Sequence, residues 1–294
     1  MYDLIIIGLG PAGINAAIYA KRSNLNILVF EKNIPGGNLH SIKHIENYLG
    51  YESIDGSTLA MQFYKQFKEL NVPMRNEEVL KIIDNQDKKR VITHNGTYES
   101  KAIIIATGRG PQKLGIDNED LLGVSTCVIC DGSLYKDKTV AIYGNNPKVL
   151  EDVIYLSSIV KKLYFITPKD KLIGNKELID KVNSLENIEI IFNSTINKIN
   201  GKNKIESMDI NDTNIKIDGL FINNGYGPIT NFVKDLNITN EKGYIITDEK
   251  GKTKIDGIYA CGDSKQKDLY QIITAASEGA LAATAAYKYI KNIQ

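Results

Sequence analysis

Two cysteines three positions apart, Cys127 and Cys130 in "CVICDG", are the residues of this chain whose type and spacing point most directly to chemistry. Such a pair can close into a small disulfide ring and exchange two electrons, and the local field can depress the pKa of one thiol. The same spacing also serves as half of a zinc site. The chain has no second pair, and its three histidines, His40, His44 and His94, are not spaced as partners, so we expect no metal. Asp131 follows directly and can take or give the proton that thiol–disulfide exchange moves. Standing before Gly132, it also suits an ordinary turn. Cys261, the third cysteine, lies alone in an apolar strand-like run and reads as a small hydrophobe with no chemistry. An odd count with one close pair does not suggest a secreted disulfide framework.

The second chemical pattern is Gly8-x-Gly10-x-x-Gly13. In a dinucleotide site these glycines allow a tight turn, a close approach of backbone to pyrophosphate, and close helix–strand packing. A helix starting there points amide groups and the positive end of its dipole at the phosphates. Glu31 ends the next strand-like run, where a carboxylate can accept ribose hydroxyls.

These residues need elements to hold them. "DLIIIG" is a continuous apolar run, as in a parallel strand covered on both faces. "INAAIYAKRS" has helical spacing and "NILVFEK" is the next strand, completing a βαβ unit. "LAMQFYKQFKEL" reads as a helix, and β pieces follow, ending in "KAIIIATG". A second α/β start comes at "KTVAIYGN", and "VLEDVIYLSSIV" continues it as a helix. "GIYACGD" is a short buried strand, and "IITAASEGALAATAAYKYIKNI" is a long helix rich in small residues. The 294 residues suffice for two ordinary domains. We expect hinges at Arg109 to Lys113 and at Thr239 to Gly243.

Hydrophobic content of 43% and charged content of 24% are those of a soluble globular protein. A net charge of +1 gives no reason to expect nucleic acid or an anionic membrane as partner. The apolar N-terminal run is too short to span a bilayer and lacks a basic leader, so a cytoplasmic location is expected.

A dinucleotide fold beside a redox dithiol needs a mediator, and FAD, which handles one or two electrons, is the expected occupant of the first site. The chain resembles the low-molecular-weight bacterial thioredoxin reductases over essentially its full length. "GLGPAG", "PGGNLHSIKHIENYLG", "IIIATG", "CVICDG", "YACGD" and "QIITAASEGALAA" carry the resemblance, in the family's order. It implies an α/β fold of two Rossmann-like domains, of the FAD/NAD-linked reductase type. An FAD domain (1–110 and 242–294) is split by an inserted redox domain (111–241) carrying the dithiol. Within the first motif it extends the FAD set to Pro11 and Ala12, and Lys32 joins beside Glu31. Gly36, Gly37, Asn38 and Leu39 would lie along FAD, with Asn47 approaching the ring. Val79 would reach the adenine by backbone. Ala106, Thr107 and Gly108 would close the phosphate side, and Gly262 and Asp263 would meet the ribityl or phosphate portion. Tyr270, Gln271 and Ile272 would stand at the flavin edge. The resemblance further implies thioredoxin as substrate, a symmetric homodimer, rotation of the inserted domain about its hinges, and Cys130 as the sulfur nearer the flavin.

The second α/β start departs from the family. Its loop is Gly144, Asn145, Asn146, Pro147, Lys148, Val149. The family has a complete glycine loop here and a following histidine–arginine–arginine cluster that grips the phosphate of NADPH. Asn146 and Val149 replace small residues, Pro147 removes an amide donor, and Thr167, Pro168 and Lys169 stand in the cluster positions. We therefore expect poor use of NADPH. A ferredoxin-dependent subgroup lacks the NADPH motifs, and this sequence is similar to it. From plant-type ferredoxin near about −400 mV to thioredoxin near about −270 mV, two electrons release on the order of 6 kcal/mol. No iron–sulfur ligand set is present, so the cluster would be on the partner. Lysines at 161, 162, 169, 171 and 176 could offer an acidic carrier a face. The alternatives are an NADPH enzyme with a variant loop, a second flavin in the middle domain, a reductase of hydroperoxides or other disulfides, and a non-catalytic flavin redox sensor.

Overall fold

The computed structural model describes residues 1–85 and 88–293. The chain divides into two compact units, Met1–Gly110 with Gly227 onward, and Pro111–Tyr226.

The first unit is built on a seven-stranded sheet. Tyr2–Ile7 lies at its centre, parallel to Ile27–Phe30 on one side and to Gly96–Ile105 on the other. The short strand Met74–Arg75 extends the sheet beyond Ile27–Phe30. Gly96–Ile105 is long enough to serve two further partners along its other edge. Its first half pairs antiparallel with Lys88–Thr93, and its last residues pair parallel with Ile258–Ala260. Strand Tyr2–Ile7 is apolar at every position from Leu4 because both of its faces are covered. Leu4 and Ile6 face the helices Pro11–Arg22 and Ile272–Asn292. Ile5 and Ile7 face Val79, Ile82 and Val91. Parallel register brings the carboxyl ends of four strands to one edge, where Gly8 N–H donates to Phe30 O, Ala106 N–H to Ile7 O and Cys261 N–H to Ile105 O. Ligands of open α/β sheets bind at that edge.

The second unit carries a five-stranded parallel sheet in the spatial order Ile188–Ile191, Lys162–Ile166, Thr139–Gly144, Gly219–Asn223, Val124–Ser125. Val140 and Ile142 face the helix Pro147–Ser157. Ala141 and Tyr143 face the antiparallel strands Ile196–Gly201 and Ile205–Ile210.

The helices and strands expected from sequence are present, but the second crossing between units is not where sequence placed it. It falls at Tyr226/Gly227, ahead of the expected Thr239–Gly243. Residues 227–241, assigned from sequence to the inserted domain, belong to the outer unit because Val233 and Ile238 complete the core beneath Ile5 and Ile103. The first crossing, Gly110/Pro111, lies within the expected hinge. Cys261 is wholly buried just after strand Ile258–Ala260, and burial pushes its thiol up to about 12.

Candidate active site

A cavity of about 680 Å³ opens at the strand edge of the first unit, within the range of small-molecule sites. Gly8 holds φ +99°, and a Cβ there would lie 2.4 Å from Ala106 O. Gly13 does not line the cavity. A Cβ on it would stand 1.9 Å from Gly8 O, so its task is packing the helix Pro11–Arg22 onto the first strand. Gly10, the N-cap of that helix, is the opposite case: a Cβ there meets nothing within 4 Å. No side chain caps this helix start, and its first turn has no acidic residue. Its amides and dipole therefore face the cavity beside Pro11 and Ala12.

Glu31 forms the next wall. Its Oε2 accepts from Leu9 N–H at 2.7 Å and its Oε1 from Asn33 N–H at 2.9 Å, which fixes the carboxylate toward the cavity. Lys32, also in the lining, is paired with Glu78 at 3.0 Å. Gly37, Asn38 and Leu39 line the cavity from a short 3₁₀ turn, and Asn38 Nδ2 donates to Arg109 O at 2.8 Å. Gly36 is outside the lining and packs against Ala60 and His40. Val79 opens the strand Val79–Asn85 at one margin. Ala106, Thr107 and Gly108 line the end of Gly96–Ile105, and Thr107 Oγ1 donates to Ile229 O at 2.6 Å. Gly262 and Asp263 follow Ile258–Ala260. Gly262 N–H donates to Glu278 Oε2 at 2.8 Å, and Asp263 Oδ1 is 3.0 Å from Lys267 Nζ. Asn47 Nδ2 donates to Gln271 Oε1 at 2.9 Å, tying two predicted residues together. Tyr270 and Ile272 flank Gln271 in the lining, and the Arg109 guanidinium sits 5.1 Å from the Tyr270 ring centroid.

Sequence reasoning missed Glu77, Arg109, Ile229 and Phe232, which also line the cavity. Ile229 and Phe232 were hidden by the misplaced domain boundary. The Thr93 hydroxyl, followed by Asn95 and Tyr98, holds the Glu77 carboxyl below the usual carboxylate range. Nothing in the local sequence pattern marks Glu77.

In the second unit Cys127 and Cys130 form a disulfide with Cα atoms 5.3 Å apart. Cys127 caps a single helical turn, Val128–Asp131, that contains Cys130, and Cys130 N–H donates to Cys127 Sγ at 3.3 Å. Cys130 is exposed and Cys127 half-exposed. Asp131 is held from outside the motif: Ser125 Oγ donates to its Oδ2 at 2.6 Å.

The loop after Thr139–Gly144 differs from the loop after the first strand. Asn146 caps the helix Pro147–Ser157, its Oδ1 accepting from Lys148 N–H at 3.1 Å. Its Nδ2 donates to Asn223 O and Oδ1, both at 3.0 Å, and Asn223 Nδ2 donates to Asp152 Oδ2 at 2.6 Å. Burial raises the Asp152 carboxyl above the usual range. Val149 is buried, and its Cγ2 would lie 2.7 Å from a Cβ added at Gly144. Pro147 does not separate the two loops, because Pro11 holds the same first helical position in the other one. The difference lies in the cap.

The first cavity fits FAD by its open glycine cradle, its uncapped helix start and the fixed Glu31 carboxylate at the end of the second strand. Together with the disulfide it defines the class: a flavoprotein disulfide reductase. The profile of the family described as pyridine nucleotide-disulphide oxidoreductase matches residues 2–279. A thioredoxin reductase of Listeria innocua is 36% identical, with 100% of this chain and 95% of that protein covered. The crystal structure of Lactococcus lactis thioredoxin reductase superposes with a TM-score of 0.67 at 37% identity, covering 99% of this chain and 100% of that one. A ferredoxin-flavin thioredoxin reductase from Clostridium acetobutylicum matches with a TM-score of 0.62 at 32% identity, covering 99% and 98%. This chain belongs to the low-molecular-weight thioredoxin reductases of the pyridine nucleotide-disulphide oxidoreductase family, whose cofactor is FAD. Among the described residues, no helix is long and apolar enough to cross a membrane.

Proposed function

We propose that this thioredoxin reductase draws its electrons from a reduced ferredoxin and not from NADPH, and passes them to thioredoxin through Cys127 and Cys130. The observation that carries the donor is the Asn146 cap. At the first loop the amides of a helix start are left to a ligand. At the second, Asn146 takes one of them and is itself anchored to Asn223. A pyrophosphate arriving there has to break a cap that contributes about 1 kcal/mol. It also meets no arginine fork, since Thr167, Pro168 and Lys169 hold those positions. With charge-assisted bonds worth roughly 1.5–3 kcal/mol each, the loss of two cations weakens binding on the order of a thousandfold.

In the outer unit we assign Glu31 to the ribose hydroxyls and the start of Pro11–Arg22 to the pyrophosphate. Val79 takes the adenine by backbone, Asp263 the ribityl or phosphate portion, and Asn47 and Gln271 the flavin edge. When bound, FAD supplies a carrier that accepts single electrons and releases pairs. Asp131 exchanges the proton of the leaving thiol. The family resemblance supports a cytoplasmic homodimer with Cys130 as the sulfur nearer the flavin.

Mixing the yellow protein anaerobically with reduced ferredoxin, NADPH or NADH tests the donor. Ferredoxin is expected to bleach the flavin, and micromolar NADPH or NADH to leave it yellow. Bleaching by micromolar NADPH would overturn the donor assignment and leave the thioredoxin reductase activity standing. That outcome is the second reading. It is favoured by the family's pyridine-nucleotide description and by relatives that carry the plain name thioredoxin reductase.

A further inference from the structure

We propose that Ser125 is a positioning residue for the thiol–disulfide step, acting through Asp131. The inference rests on Asp131 as the proton-exchanging group. Ser125 ends the short strand Val124–Ser125, locked beside Gly219–Asn223 by the pair Phe221↔Ser125. Its Oγ does two things at once. It donates to Asp131 Oδ2 at 2.6 Å and accepts from Cys127 N–H at 3.0 Å. Asp131 N–H in turn donates to Cys127 O at 3.2 Å. The carboxylate is thus tied by its side chain and its backbone to the residue that opens the redox loop. A rigid strand, rather than the exposed helical turn, sets where the carboxylate points.

The Ser125 hydroxyl, whose short contact is with Asp131 Oδ2, fixes the direction of this carboxylate. The consequence concerns proton flow. When the reduced pair attacks a thioredoxin disulfide, one enzyme S–H bond is lost and a mixed S–S bond forms. The substrate's leaving sulfur departs as a thiolate. The second enzyme sulfur then attacks, the Cys127–Cys130 bond re-forms, and the other substrate sulfur leaves. Two electrons and two protons have then passed from the enzyme dithiol to the substrate. Asp131 accepts a proton from the enzyme side and returns it to a departing sulfur, so it must be ionised at the start. Ser125 holds that carboxylate in place beside Cys127.

The test needs neither ferredoxin nor a pyridine nucleotide. The FAD-loaded protein is reduced with dithiothreitol and desalted anaerobically, and its single-turnover reduction of oxidised bacterial thioredoxin is followed from pH 5 to pH 9. Ser125→Ala is expected to slow the step at neutral pH by about three- to tenfold. The loss is expected across the whole profile, because the carboxylate is no longer aimed at the sulfurs. Ser125→Thr, which keeps the hydroxyl, restores the rate. A Ser125→Ala rate and profile identical to the parent's overturns the proposal. So does an equally slow rate in Ser125→Ala and Ser125→Thr, which marks a merely structural role. Asp131→Asn separates the proposal from its premise. If that variant is also unimpaired, Asp131 is not the proton-exchanging group. If it alone is impaired, Ser125 does not act through it.

Discussion

Replacing Gly13 by alanine is expected to yield a colourless, destabilised protein. The added Cβ would stand 1.9 Å from Gly8 O and 2.9 Å from Gly8 C, both backbone atoms that cannot swing aside. Helix Pro11–Arg22 has to move off the strand, and overpacking of this kind costs roughly 1–3 kcal/mol or more. The movement carries the N–H groups of Gly10 and Ala12 away from the phosphate position proposed above. Gly10→Ala is the informative comparison. Gly10 has φ −77°, which alanine adopts freely, and its Cβ would meet no protein atom within 4 Å. Its flavin-free form should melt within a degree or two of the parent's, since exposed changes of this kind stay within about 0.5 kcal/mol. FAD affinity should still drop, because the methyl enters the space left for the ligand. Thermal melts of flavin-free protein and FAD titration followed by flavin fluorescence read the two effects separately. A Gly13→Ala protein with parental melting temperature and full flavin content would contradict the packing role.

Serine at Cys127 or Cys130 is expected to reduce turnover with thioredoxin by more than about a thousandfold, while the purified protein stays yellow. Serine is nearly isosteric but offers no thiolate at neutral pH and cannot form the S–S bond seen between these residues. The cavity belongs wholly to the outer unit, so its lining is untouched by either change. Cys261→Ala supplies the contrast. That thiol is fully buried and its deprotonation is opposed by burial. Turnover should stay within about twofold, and stability should fall by about 1 kcal/mol for the small cavity left behind. Retained turnover in either serine variant at Cys127 or Cys130 would remove the dithiol from the reaction. Non-reducing gels of each variant mixed with oxidised thioredoxin then show which remaining cysteine captures the substrate.

Much of the outer unit was legible because its signals are local. An apolar run, three glycines at fixed spacing and a carboxylate ending the next run lie within 31 residues of the N-terminus. The later cavity residues carry no such signature. Asn47 and Gln271 meet across 224 positions, and only the family resemblance brought them into one expectation. Ile229 and Phe232 escaped because the sequence around the second crossing has no composition break. Val233 and Ile238 look like core residues of whichever unit claims them, and only the packed sheet decides. The loop at Gly144 was legible as a departure from a glycine pattern, but its physical content was not. Sequence suggested a crowded cradle with a missing donor. The fold shows an asparagine cap that satisfies the helix start itself.

The contact between helices Pro11–Arg22 and Ile272–Asn292 bears on how the protein is made. Asn15 Nδ2 donates to Ala276 O across 261 positions, and a Cβ on Gly279 would lie 2.2 Å from Ala12 O. During synthesis on the ribosome the first βαβ segment emerges without the helix that seals it. The inserted unit, continuous from Pro111 to Tyr226, has its whole core available before the last helix is translated. Closing so long a loop is slow relative to local folding. The inserted unit is therefore expected to fold ahead of the outer one, and a chain halted before residue 272 lacks the helix that packs on Pro11–Arg22.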